Sequence, residues 1–191
     1  DYVVTGTVSV DEMSNNNAGI IFRGSNFGND PDAYAGYFAG IGRVDYNDGN
    51  VHGLGLMIGY ADGQWHDIKG FSMPELQTNT KYDIKVVAFG DQFAVYLKAH
   101  SDADYEFIAK FSDSRFSKGT IGFRSYNEAF TAYGVDVRPV VQEDLGVFEE
   151  TEEEPGEQPG EVLFSDDFND AQKSQENWVK VPEQANIQFV D

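Results

Sequence analysis

From residue 2 to residue 137 the chain is written in short runs of β-branched and aromatic residues, each closed by glycine, asparagine or aspartate. No window carries the 3.6-residue apolar period of a long amphipathic helix. KYDIKVVAF, at 81–89, shows the pattern most clearly. Tyr82, Ile84, Val86 and Ala88 alternate with Asp83 and Lys85, the period of two expected of a half-buried strand. Gly90-Asp91 then makes a short turn into QFAVYLKA at Gln92–Ala99, which predicts a β-hairpin. Comparable runs are YVVTGTVSV, AGIIFRG, AYAGYFAGI, GLGLMIGY, QWHDIKGF, DYEFIAKF, GTIGFRSY and FTAYGVDV. About ten strands with turns at such short intervals predict an all-β antiparallel sandwich.

The texture changes at Gln142. Residues 142–161 read QEDLGVFEETEEEPGEQPGE, with nine acids, no Lys or Arg, and prolines at 155 and 159. Self-repelling charge with Pro and Gly cannot bury a core and predicts a solvated, extended linker. Strand-like text resumes with VLFSDDF, NWVKV and NIQFV. The predicted organisation is therefore a sandwich body at 1–141, an acidic linker at 142–161 and further strands at 162–191.

The net charge of −20 argues against nucleic acid and anionic membrane as partners. With 40% hydrophobic and 14% aromatic residues the chain has enough apolar material for a core. There are no cysteines, hence neither disulfides nor thiolate metal sites. No apolar run reaches the ~20 residues of a membrane-spanning helix, and no signal peptide is visible. The first residue is Asp rather than Met, which reads as a mature chain or an excised piece.

Catalytic patterns are missing. Sandwich glucanases place two carboxylates on one strand face, as in E-x-D-x-x-E, about 5–5.5 Å apart for retaining chemistry. Glu106 and Asp136 have no acid two residues away on the same strand, and Asp83 with Lys85 reads as charge on a solvated face. His52, His66 and His100 are too widely spread for metal-ligand spacing. Neither G-x-S-x-G nor a phosphate-binding glycine loop occurs. Gly40-Ile-Gly42 and Gly53-Leu-Gly55 read as bulges or close sheet packing. The expectation is a non-catalytic protein.

AGIIFRG, GYFAGI, KYDIKVVAFGDQFAVYL and GTIGFRSYNEAFTAYGVDV form an ordered series. The series resembles the concanavalin-A-like, laminin-G-like β-sandwich (jelly-roll) modules of bacterial glycoside hydrolases, and most closely carbohydrate-binding module family 66, the levan-binding type. In that family text resembling FSDDFND and NWVKV precedes text resembling DYVVTGTVSV, whereas here the order is reversed. Either the chain is cut from tandem repeats, or its tail folds back to complete the same sandwich as in a circular permutation. The linker of about 20 residues can span up to roughly 66–72 Å, so reach permits a return. A sandwich lacking its first strands would leave edge groups unpaired, which favours the return. Phe164, Phe168 and Trp178 are then expected to be buried.

The resemblance implies a sugar ligand and places an arginine at Arg23. If Phe22 faces the core, alternation turns Arg23 to the other face, where a guanidinium suits adjacent hydroxyls. Tyr34 and Tyr37 are candidates on a neighbouring strand. Arg124, Tyr126 and Asn127 form a second constellation, the last two matching a family position with an aromatic followed by Asn. Trp65, near a turn, is a candidate stacking platform. The family's early acidic residue is unmatched, since that strand offers Thr5 and Thr7. Calcium is the candidate cofactor, with Asp30, Asp32, Asp166 and Asp167 as hard ligands in Asn/Asp-rich turns.

The expected function is a non-catalytic carbohydrate-binding module, extracellular, attached to neighbouring domains of a larger secreted or cell-surface protein. It would bind an oligosaccharide or polysaccharide, a fructan by the resemblance, in a shallow pocket, without nucleic acid or membrane insertion. The alternative is a structural or adhesive repeat of a bacterial surface protein. Arg23→Ala and Tyr126→Ala are each expected to weaken glycan binding while leaving the thermal midpoint nearly unchanged.

Overall fold

The structure, a computed structural model, describes residues 1–12, 17–45, 52–127, 129–149 and 164–166. Ten strands run from the start of the chain to residue 138: β1 Tyr2–Val10, β2 Asn17–Ser25, β3 Ala35–Asp45, β4 His52–Asp62, β5 Trp65–Ser72, β6 Tyr82–Phe89, β7 Gln92–Ala99, β8 Glu106–Ser112, β9 Thr120–Tyr126 and β10 Phe130–Arg138. After them come a four-residue helix, α1 (Gln142–Leu145), and a short strand, β11 (Phe164–Asp166). The strands make a six-stranded sheet in the order β11-β10-β1-β6-β7-β8 and a five-stranded sheet in the order β5-β4-β3-β2-β9. Every pairing is antiparallel, and the β6–β7 hairpin turns at Gly90-Asp91 with Phe89 opposite Gln92. The fold is an all-β, concanavalin-A-like jelly-roll sandwich.

Alternation on both sheets points apolar residues inward. Val4, Val8, Ile84, Val86, Phe93 and Val95 from one sheet meet Ile20, Phe22, Tyr37, Ile41, Leu56 and Ile58 from the other, all fully buried. Burying each such side chain stabilises by about 1.5–3 kcal/mol. Phe22, Tyr37 and Phe93 form the aromatic centre, with ring centroids 4.9–5.5 Å apart.

The six-stranded sheet is also covered on its outer face. Val3, Val87 and Ala94 are buried beneath Val140, Val147 and Phe148. Arg138 donates through both terminal nitrogens to the Asp144 carboxylate at 2.6 Å, and the Val141 amide donates to the same group. Residues 139–149 thus form a strap, where the composition change at Gln142 predicts an extended linker. Asp83 departs from the solvated face expected of it. It is 5% exposed and accepts hydrogen bonds from Thr7 at 2.7 Å and from His100 at 2.9 Å, with Lys98 beside it. The neighbouring Thr7, Lys98 and His100 side chains close over it, which a period-two pattern does not reveal.

β11 joins the edge of the six-stranded sheet, with Val137 opposite Phe164 and Val135 opposite Asp166. The positions expected for Phe168 and Trp178 lie outside the described residues, as does Asp167. No helix among the described residues is long and apolar enough to cross a membrane.

Candidate ligand-binding surface

The outer face of the five-stranded sheet carries the densest group of sequence-predicted residues. Backbone register places Arg124 of β9 beside Gly19 of β2, which in turn faces Gly40 of β3. Tyr126 lies beside Asn17 in the next row, and Ile21 and Phe38 occupy the row on the other side. With no side chains at Gly40 and Gly59, rings pack directly against the sheet backbone there. An added Cβ would stand 2.2 Å from the Phe38 ring at Gly40 and 2.3 Å from the Trp65 ring at Gly59. Phe38 and Trp65 meet edge to face at 5.7 Å.

Arg124 crosses this bare floor. Its guanidinium carbon stands 4.9 Å from the Phe38 ring centroid, 4.8 Å from Trp65 and 5.7 Å from Tyr126. Nε donates to the Pro31 carbonyl at 3.2 Å and to Asp32 Oδ1 at 3.1 Å, Nη1 donates to Asn17 Oδ1 at 2.8 Å, and Nη2 pairs with Asp32. Asp32 comes from the loop between β2 and β3, so one ion pair fastens that loop to the sheet. A cation only 6% exposed is tolerable because its charge is matched and its donors are used.

The same loop supplies two more rings. Phe27 stacks on Tyr34 at 6.0 Å with planes 14° apart. Tyr34 is buried, which pushes its ionisation above the ordinary tyrosine range, and its hydroxyl has no hydrogen-bond partner among the described residues. Phe27 and Tyr126 are 42% and 41% exposed, so both rings reach solvent, Tyr126 beside the buried arginine. Trp65 is half-buried and fixed by its indole N–H, which donates to Asp67 at 2.6 Å. Asn127 comes directly after Tyr126 in a left-handed conformation, φ 69°, that turns the chain away from the strand.

Tyr34, Trp65, Arg124 and Tyr126 are therefore gathered, with Asn127 adjoining. Arg23 and Tyr37 are placed elsewhere. A bulge between Phe22 and Ser25 breaks the alternation, and Arg23 takes φ 53° within it. Its guanidinium turns under the core, 4.7 Å over the Phe93 ring, and donates to the Phe116 carbonyl at 3.0 Å and the Gly90 carbonyl at 2.6 Å. Tyr37 is fully buried. Its hydroxyl donates to Asp113 at 2.8 Å and accepts from the Phe116 amide at 3.2 Å, and burial raises its pKa to about 12.

Of the candidate calcium ligands, Asp32 is engaged by Arg124, and Asp30 accepts from the Asp32 amide at 3.0 Å. Among the described residues no group of three or more His, Asp or Glu is arranged to hold a metal. Asp166 lies on β11.

Asn17, Phe27 and Phe38 belong to the surface and are not among the residues singled out by sequence. The available signal is the set of glycines at alternate positions of adjacent strands, which mark a floor on which rings can lie. Elsewhere, a cleft of about 410 Å³ has Met73, Leu76, Tyr82, Glu75, Asp102 and Asp104 among its lining. It offers no exposed aromatic face.

No protein-family model matches the chain, and no curated protein matches it. Among solved structures it is similar to the carbohydrate binding module CBM66 from Bacillus subtilis, with TM-score 0.50 and 20% identity over 73% of this chain and 72% of that one. It is also similar to a xylan β-1,4-xylosidase from Bacillus halodurans C-125, with TM-score 0.46 and 12% identity over 71% of this chain and 26% of that one. A third likeness is to sheep galectin-11 in complex with glycerol, with TM-score 0.45 and 12% identity over 71% of this chain and 88% of that one. At 20% identity the first likeness is one of fold.

Proposed function

We propose that the protein is a non-catalytic glycan-binding module that docks an oligosaccharide or polysaccharide on the Phe27–Arg124–Tyr126–Trp65 surface. The observation that carries this reading is the pair of exposed rings on this face, Phe27 stacked on Tyr34 and Tyr126 beside the buried, ion-paired Arg124. Aromatic faces against sugar C–H groups, framed by a few fixed polar groups, are what a shallow sugar site requires. The jelly-roll fold and its likeness to a carbohydrate binding module support the reading. The role fits an accessory domain of a secreted or cell-surface glycan-degrading protein, tethered to neighbouring domains. The fructan implied by the sequence resemblance is one candidate within this class, and calcium, held through acids such as Asp30, is a candidate addition.

Titration of the full chain against a glycan panel, with and without calcium, tests the proposal. Binding at millimolar glycan or below that weakens several-fold in Tyr126→Ala supports it. If no glycan binds in either condition, the structural-repeat reading stands instead. That second reading draws on β11, a strand from beyond the acidic segment that adds to a sheet edge, the kind of pairing by which neighbouring copies would join.

A further inference from the structure

We infer that the ligand of this surface is a β-linked pyranose glycan with equatorial substituents rather than a furanose fructan; the inference rests on the glycan-binding reading above. Its basis is how the surface divides polar from apolar recognition.

Reading hydroxyl groups needs free, directional donors and acceptors, and here the strongest are committed. The Arg124 nitrogens serve Asp32, Pro31 and Asn17. Asp32 Oδ1 and Asn17 Oδ1 are the atoms that accept these bonds. The Trp65 indole N–H is given to Asp67. Arg23 and Tyr37, two further candidates for polar contact, are buried against Gly90, Phe116 and Asp113, and Asn127 adjoins the surface at its edge. At its centre the surface presents rings outward, with the polar residues Asp30, Asp67 and Asn127 at its rim. Phe27 and Tyr126 are each about two-fifths exposed, and each is backed by a fixed group, Tyr34 stacked behind the first and Arg124 beside the second.

Such a platform selects for shape. A pyranose whose substituents are all equatorial turns a continuous patch of axial C–H bonds to one face, and a ring lies flat against it. A fructofuranose is smaller and puckered, with hydroxyl and hydroxymethyl groups breaking up both faces, so it depends more on directional hydrogen bonds. Two exposed rings also favour a chain of linked sugars over a single residue.

The test is calorimetric titration of the full chain with cellohexaose and xylohexaose, and with levan- and inulin-type hexamers, backed by saturation-transfer NMR on the bound sugar. The pyranose hexamers should bind about tenfold more tightly, with saturation strongest at their axial ring protons. Phe27→Ala and Tyr126→Ala should each weaken that binding several-fold, and Tyr126→Phe should retain it. Fructan hexamers binding as tightly or more tightly would overturn the inference while leaving the glycan-binding reading intact. Equal loss of binding in Tyr126→Phe would overturn it too, by showing that the hydroxyl rather than the ring face is read. Absence of binding by all four hexamers would sink both.

Discussion

Two arginines of this chain are buried, and the difference between them decides what each can do. Arg23 serves two backbone carbonyls at the end of the core, whereas Arg124 lies on the outer face with a carboxylate partner and three rings around it. Alternation from Phe22 puts Arg23 outside, and only the bulge, which has no local signature beyond the adjacent Gly24, reverses it. Arg124 is legible because no bulge interrupts β9 between Gly122 and Tyr126 in its pairing with β2. Removal of the Arg23 side chain should therefore have a different consequence from the one read off the sequence, whereas Tyr126 keeps its expected one. Arg23→Ala gives up two charge-assisted bonds, each worth about 1.5–3 kcal/mol. It should lower the urea midpoint clearly, with any loss of glycan binding secondary to the loss of fold. Tyr126→Ala, at an exposed position, should leave stability within about 0.5 kcal/mol while weakening binding several-fold. Calorimetry and urea melts on the same two variants separate the effects, and an unchanged midpoint for Arg23→Ala would show its bonds to be dispensable.

At the scale of elements, strand positions are legible nearly to the residue because each outward or inward switch changes which side chains are buried. β1 and β7 begin and end where the alternating text does. The strap is not legible, since its few apolar residues, Val140, Val147 and Phe148 among them, are outweighed in composition by the acids around them. Its anchor has a pH dependence of definite sign. Burial works to raise the Asp144 pKa, but the two bonds from Arg138 and the Val141 amide outweigh it and hold the group below its ordinary value of 3.8. A carboxylate depressed on folding stabilises above its unfolded pKa, and that contribution disappears as pH falls through the folded value. The strap should thus hold fully above about pH 4 and loosen below it, at a cost of about 1–2 kcal/mol once the partial exposure of Arg138 is allowed for. Asp144→Asn should flatten the acid limb of a plot of urea midpoint against pH. A slope unchanged in that variant would assign acid sensitivity to other carboxylates. On the binding face, Gly59→Ala should displace Trp65, because the new methyl occupies the ring's place. A smaller shift in indole emission on ligand addition would report it.

For the whole molecule, the open matter is whether residues 162–191 complete this sandwich, and three chain lengths resolve it. A chain ending at residue 141 loses α1, Val147 and Phe148, and uncovers Val3, Val87 and Ala94. Two apolar side chains at about 1.5–3 kcal/mol each, with the Arg138–Asp144 pair, are a large part of the ~5–15 kcal/mol that holds a domain together. A chain ending at residue 149 keeps all of these and loses only residues 150–191. If the tail belongs to this sandwich, the full chain should melt well above the 1–149 form, because β11 pairs along β10 and the strands expected after it would bury Phe168 and Trp178. Shortening the acidic segment between residues 150 and 161 by a few residues should matter little in comparison, since closure entropy varies only slowly with length. The predicted order of thermal midpoints is full chain, then 1–149, then 1–141, which should be aggregated or strongly destabilised. Coincident melting of the full chain and the 1–149 form would show that the three-residue pairing of β11 adds nothing measurable, and would assign the tail to the start of another copy.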